Sequence, residues 1–295
     1  MSIIVSMNEL LQKFETRVAI VGVGLIGGSI AAAIRKRFPE CDVIGVGRSR
    51  QRLQAALDAG ILTGWETSLS AEMLQRPLLV VVCLPVNLIA DSVAEIAEKA
   101  GPETVITDAG SVKSDIYTRL SGNKTALARF VGAHPIAGGE QGGFEHADAE
   151  LFEDRVCVLV QNDNTEQPAA SSIERAANFW KAIGCRISRM TAEEHDRVLA
   201  LTSHLPHVMA AVTTSVVGVN NLPMTGSGFR DTTRIASGDA ALWKEILLGN
   251  PTQVISAIDS ASALLADYKR GLENRDGQLI EDLLRDASKC RGKLT

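Results

Sequence analysis

Aromatic residues make up only 4% of this 295-residue chain, and basic side chains do not dominate it: 30 Lys+Arg stand against 35 Asp+Glu, a formal charge of −5. With neither a basic stripe nor a supply of stacking rings, nucleic acid is not expected as a partner, and a small anion must be gripped locally. Long hydrophobic runs are missing too. The longest, Leu78 to Leu84 between two prolines, falls far short of the ~20 residues that cross a bilayer and reads as a buried strand. The opening stretch Met1–Leu11 has no cationic start and is interrupted by Ser6 and Asn8. A secretory signal and a membrane partner are therefore not expected, and a cytoplasmic protein is. The five cysteines (Cys41, Cys83, Cys157, Cys185, Cys290) are odd in number and scattered, without a C-x-x-C pair. That argues against a disulfide framework and a zinc site; Cys83, Cys157 and Cys185, set in apolar runs, are expected as small core residues.

What the chain does contain is alternation. Short β-branched runs at Arg17–Val21, Asp42–Gly47, Leu78–Leu84, Thr104–Asp108, Phe130–Ala133, Arg155–Val160 and Cys185–Arg189 are separated by stretches of helical period. The expected helices are Leu25–Phe38, Gln51–Asp58, Leu88–Lys99, Val112–Leu120 and Glu166–Ile183. Such alternation predicts an α/β, doubly wound, mainly parallel sheet. After Arg189 the pattern changes, because Thr191-Ala192-Glu193-Glu194 is a capping box and no strand follows it. Helices are expected near Ala192–Leu201, His207–Val219, Ala240–Gly249, Thr252–Asn274 and Gly277–Arg291, with a glycine-rich interruption at Met224–Gly228. Two domains follow, 1–188 and an all-helical 189–295. Val254–Leu272 is mostly small and aliphatic, which predicts burial on several sides and a homodimer built through the helical domain.

The first strand runs into Gly22-Val-Gly24-Leu25-Ile26-Gly27-Gly28-Ser29 at the opening of a helix. In that context G-x-G-x-x-G is the Rossmann-like dinucleotide fingerprint. Gly22 permits the tight turn, Gly24 lets the pyrophosphate approach, and Gly27 lets helix and strand pack closely. Gly22, Gly24, Leu25, Ile26 and Gly27 are candidate cofactor contacts, as are Leu84 and Pro85 at the end of the apolar strand. The end of the second strand, where NAD-preferring domains carry an acid for the ribose, reads Gly47-Arg48-Ser49-Arg50. No carboxylate there repels a 2′-phosphate, so NADP is favoured over NAD, with Arg48, Ser49 and Arg50 as its contacts. The plainer alternative is a solvated helix start bearing Arg48, Arg50 and Arg52.

Four further places carry chemistry. His134 follows Phe130–Ala133 and is expected at the carboxyl end of a parallel strand, where such sheets bind ligands and a neutral imidazole can take a proton. Ser111 in Thr107-Asp-Ala-Gly-Ser-Val-Lys113 either caps a helix or bonds a ligand. Ser203-His204-Leu205-Pro206-His207 is expected to open a helix, with His204 and His207 near its start and no third ligand to suggest a metal. Gly226–Arg234 reads as a polar loop in which Arg230 and Arg234 offer guanidinium clamps for carboxylates.

The ordered segments GVGLIGGS, TDAGSVK, HPIAGGE, SHLPH and GFRDTTRIA resemble the prephenate/arogenate dehydrogenases of tyrosine biosynthesis, from about Arg17 to the C-terminus. The resemblance implies oxidative decarboxylation without a metal. Hydride leaves the hydroxyl-bearing ring carbon for the nicotinamide as the ring carboxylate departs. It implies that His134 is the catalytic histidine, Ser111 the serine beside the hydroxyl, Arg234 the carboxylate clamp and His207 the pocket histidine. The second histidine of SHLPH tilts the substrate towards prephenate, while arogenate, with an amino group for the keto group, stays open with Glu140 as an acid to receive it. No room is expected for an ACT module or a fused chorismate mutase, so tyrosine feedback would act at the active site. The alternatives are a 3-hydroxyacid dehydrogenase, for which no lysine occurs between Lys181 and Lys244, and an NADP-sensing protein without turnover.

Overall fold

The computed structural model describes residues 17–74, 79–139, 141–161 and 168–294. The extension before Thr16, the expected strand start Leu78 and the expected helix start Glu166 lie outside them. The chain opens with β1 (Arg17–Val21), α1 (Leu25–Arg37), β2 (Asp42–Val46), α2 (Arg50–Asp58), β3 (Gly64–Glu66) and α3 (Ala71–Leu74). There follow β4 (Leu79–Val82), α4 (Val86–Lys99), β5 (Val105–Asp108), α5 (Ser114–Leu120), α6 (Lys124–Leu127) and β6 (Phe130–Val131). These strands pair in the order β3-β2-β1-β4-β5-β6, every pairing parallel. The order reverses between β1 and β4, which opens a crevice at their carboxyl ends. Every residue of β4 and β5 is buried, because helices cover both faces: Leu79 and Val81 join Ile30 and Ile34 of α1, whereas Val80 and Val82 join Ile89 and Val93 of α4.

Beyond β6 the expectation of one continuing sheet fails. The strands β7 (Ala133–Pro135), β8 (Val156–Val160) and β9 (Arg186–Met190) form a separate sheet, β7 antiparallel to β8 and β8 parallel to β9. The expected strand Phe130–Ala133 is split at Gly132. Its N–H donates to the Tyr117 hydroxyl at 3.1 Å, and the next N–H, of Ala133, donates to Asp108 Oδ1 at 2.8 Å. Side chains thus take the amides that a further stretch of ladder would have used, and the backbone leaves the sheet. His134 accordingly sits in the middle of β7 opposite Val158, not at the end of a parallel strand. The helix α7 (Ala170–Ala182) returns the chain from β8 to β9 and adds Phe179 and Trp180 to the core.

From Thr191, whose hydroxyl accepts the Glu194 N–H at 3.1 Å, the structure is helical. It comprises α8 (Ala192–Leu199), a π-helical turn Ala200–His204, α9 (Leu205–Asn221), α10 (Ser227–Thr233), a 3-10 turn Arg234–Ser237, α11 (Ala240–Gly249), α12 (Pro251–Glu273) and α13 (Gly277–Arg291). Ser203–His207 does not open a helix; it lies inside a continuous helical run. Pro206 has no N–H and crowds the preceding turn, so the run widens there, Leu205 N–H bonding Ala200 O. Nor is Gly226–Arg234 a loop, since most of it forms α10. Within the single chain α12 buries Val254, Ala257 and Gly271, while Ile255, Leu265 and Leu272 are 55–67% exposed. Among the described residues no helix is long and apolar enough to cross a membrane.

Candidate active site

A cleft of about 590 Å³ lies at the carboxyl ends of β1, β2 and β4. Gly22 turns there with φ +97°, its N–H donating to Val46 O at 2.9 Å. A Cβ on Gly27 would overlap the Gly22 carbonyl oxygen, whereas a Cβ on Gly24 would meet none of the described residues within 4 Å. Gly27 therefore serves helix–strand contact, and the space over Gly24 is left open. Among the described residues no side chain caps the first turn of α1, whose N–H groups and partial positive charge follow directly on Gly24 at the cleft wall. Of the expected cofactor contacts, Gly22, Gly24, Arg48, Ser49, Leu84 and Pro85 line this cleft, joined by Gly47. Leu25, Ile26, Gly27 and Arg50 do not. Leu25 comes close to Gly139, and Ile26 packs against the core. Arg52 takes the place expected for Arg50: it lines the cleft and pairs with Glu145 at 3.7 Å. Cys83 also lines it, its thiol pushed up by burial and by the Asp108 carboxylate, and so not a nucleophile.

On the β5 side of the sheet a buried polar network joins both parts of the chain. The Lys113 ammonium pairs with Asp108 Oδ2, both side chains wholly excluded from solvent. Asp108 also accepts the N–H groups of Gly110 (2.9 Å) and Ala133 (2.8 Å), which ties β5 to β7 beside His134. His134 Nδ1 lies 2.8 Å from His195 Nε2, and His195 Nδ1 lies 2.7 Å from Asp196 Oδ1. Burial, with the neighbouring His195 ring, the Lys113 ammonium and the His204 ring adding to it, holds His134 well below the ordinary histidine value. The ring is neutral at physiological pH. Asp196 in turn accepts the N–H groups of Lys113 at 2.9 Å and Ser114 at 2.8 Å. It therefore does the work that sequence offered to Ser111, capping α5, which begins at Ser114 rather than Val112. Ser111 remains half-buried in the turn between β5 and α5.

The helical residues extend the network. Asn250 donates through Nδ2 to the Asp196 carbonyl at 2.8 Å and lies 3.3 Å from His204 Nδ1. His204 meets the edge of Trp243, and His207 stacks flat on the same indole with centroids 3.5 Å apart. Among the described residues His204 Nε2 and His207 Nδ1, both buried, have no hydrogen-bond partner, which suits a polar ligand. Burial lowers the pKa of both, that of His204 to about 4. Among the described residues no three His, Cys, Asp or Glu are grouped to hold a metal ion. Arg234 opens the 3-10 turn packed on α9, and Gly238 at its end lies against His207 and Trp243. Arg230 stands exposed on α10, and Glu140 lies outside the described residues. Sequence reasoning missed His195, Asp196, Lys113, Asn250 and Trp243. Only the adjacent His-Asp pair one turn into a capped helix offered a local signal.

Comparison with known proteins bears on the whole chain. A family model described as the nucleotide-binding domain of prephenate dehydrogenase matches residues 30–189, and one described as its dimerization domain matches residues 191–286. The chain is 33% identical over 284 residues to a cyclohexadienyl dehydrogenase of Zymomonas mobilis, covering 93% of this chain and 94% of that protein. It is 30% identical over 291 residues to a prephenate dehydrogenase of Bacillus subtilis, covering 96% and 77%. Among solved structures, prephenate dehydrogenase from A. aeolicus in complex with hydroxyphenyl propionate and NAD+ is similar with a TM-score of 0.84 at 27% identity, over 95% of this chain and 98% of that one.

Proposed function

Because this chain belongs to the prephenate dehydrogenase family, we propose that it catalyses the oxidative decarboxylation of prephenate to 4-hydroxyphenylpyruvate with NADP favoured over NAD. The observation that carries the reading is His134, a buried imidazole kept neutral on β7, at the join between the second sheet and the helical segment. Only a neutral ring can accept the proton of the substrate's ring hydroxyl. Ser111 supplies a hydrogen bond to the same hydroxyl, and Arg234 clamps a substrate carboxylate. Arg230, His204 and His207 complete the polar wall.

The residues present fit a dinucleotide. Open space over Gly24 and the uncapped start of α1 suit a pyrophosphate, with Gly22, Leu84 and Pro85 along its path. When bound, the nicotinamide supplies the acceptor for the hydride leaving the hydroxyl-bearing carbon. The preference for NADP rests on Gly47, Arg48, Ser49 and Arg52 at the β2 end of the cleft, where the strand ends in Gly47 instead of an acid and positive charge can meet a 2′-phosphate. Residues 1–188 hold the cofactor in this reading, and residues 189–295 carry the substrate wall and a homodimer interface. Exposed Val216, Val219, Leu264, Leu265 and Leu272 are assigned to that interface, as apolar side chains on two helices that touch each other suit the surface of a second copy.

Arogenate is the second reading, favoured by the Zymomonas relative, whose name, cyclohexadienyl dehydrogenase, covers the ring common to both compounds. Steady-state reduction of NADP and NAD with each substrate tests both readings. The expected result is the largest kcat/KM for prephenate with NADP. A larger value for arogenate establishes the second reading, and no turnover in any combination overturns both.

A further inference from the structure

Taking His134 as the proton acceptor proposed above, we infer that His195 and Asp196 are a positioning dyad that locks His134 in one tautomer, its Nε2 unprotonated and available to the substrate. The argument starts from two backbone amides. The N–H groups of Lys113 and Ser114 can only donate, so both Asp196 oxygens act as acceptors. Burial alone would raise that carboxyl. The hydrogen bonds from His195 and from these two amides outweigh it and hold the group below its ordinary value, hence ionised. An ionised carboxylate 2.7 Å from His195 Nδ1 requires the proton on Nδ1.

His195 is itself fully buried, and burial lowers its pKa, so it carries one ring proton and its Nε2 is an acceptor. That acceptor lies 2.8 Å from His134 Nδ1. The His134 proton must therefore sit on Nδ1, since the other tautomer would set two lone pairs face to face. With His134 neutral, Nε2 is left bare. The dyad does not drift, because Asp196 is fixed from the sheet side by the start of α5 and through its carbonyl by Asn250 at the start of α12. Among the described residues the charged and titratable groups around His134 are His195 and Asp196 on α8, His204 in the π-helical turn, and Asp108 and Lys113 on the β5–α5 side.

The test combines a spectroscopic and a kinetic readout on the full chain. Nitrogen-15 NMR of histidine-labelled protein is expected to show His134 with a pyrrole-like Nδ1 and a pyridine-like Nε2, the minority form of a free histidine in water. His195→Phe, which offers no acceptor, is expected to lose that signature and to lower kcat by roughly 10²-fold, less than the ~10⁴-fold that a wrong tautomer costs in a serine protease triad. Binding of the cofactor alone is expected to be unchanged. His195→Gln, whose Oε1 can accept the Nδ1 proton, is expected to keep the signature and recover at least about tenfold of the loss, conservative rescue that a purely packing role would not produce. A wild-type His134 protonated on Nε2 overturns the proposal, as does a His195→Phe enzyme within about twofold of wild type. The reading of His134 as proton acceptor fails separately, if His134→Asn keeps turnover while the wild-type tautomer is as stated.

Discussion

Replacing Lys113 by Met removes a charge that the fold has taken wholly out of water. Neither the ammonium nor its partner Asp108 has any exposed surface. Asp108 keeps two backbone donors, at 2.9 and 2.8 Å, but loses its countercharge, and stripping one partner from a buried pair costs about 3–5 kcal/mol. Lys36 and Glu150 supply the control. Their pair, at 2.6 Å, is as short as hydrogen-bonded ion pairs commonly are, yet the side chains are 60% and 48% exposed, so Lys36→Met should cost less than about 1 kcal/mol. The assay is urea unfolding followed by circular dichroism, with protein concentration fixed because an oligomer's stability depends on it. At about 2–4 °C per kcal/mol for a unit of 150–250 residues, Lys113→Met should also lower Tm by roughly 10 °C. A second effect is electrostatic: the Lys113 charge helps to hold His134 low, so its loss moves the acidic limb of kcat/KM to higher pH. A Lys113→Met protein within about 1 kcal/mol of Lys36→Met would refute the argument from desolvation.

Two other perturbations follow from the same structure. His204 titrates at about 4 against an ordinary 6.5, so the native ring stays neutral while the unfolded chain takes up a proton. Stability is therefore complete above pH 6.5 and lost as pH falls towards 4, about 2 kcal/mol from this residue between pH 7 and 5. That loss should shrink by the same amount in His204→Leu by urea unfolding, and an unchanged loss would contradict it. At the β2 end of the cleft, Arg52→Gln should lower kcat/KM for NADP relative to NAD by about tenfold, the worth of one charge-assisted bond. Glu145→Gln, which frees Arg52 from its 3.7 Å pair, should move the ratio the other way; a constant ratio in both variants removes Arg52 from cofactor choice.

What was legible in the chain and what was not divides by the reach of the interaction responsible. The turn at Gly22, the packing of Gly27 on its carbonyl and the Thr191 cap on Glu194 act across a few residues, and each was readable from spacing. The departure of the backbone from the sheet after β6 was not, because it depends on Tyr117 and Asp108, 15 and 25 positions away from the amides they bind. The same holds for the site. A histidine in an HPIAGGE segment can be suspected from its neighbours, but whether its ring is a donor or an acceptor is settled by His195, 61 positions on. His195 is settled by a carboxylate that answers amides 82 and 83 positions back. Window-based reading sees Asp196 as one more polar residue on the first turns of a helix, where an acid is ordinary. In three dimensions it is the shared end of two demands, a helix start that lacks a side-chain cap and an imidazole that must not turn over. A motif thus names the reactive group, while the state of that group is set by residues whose only local mark is that they face inward.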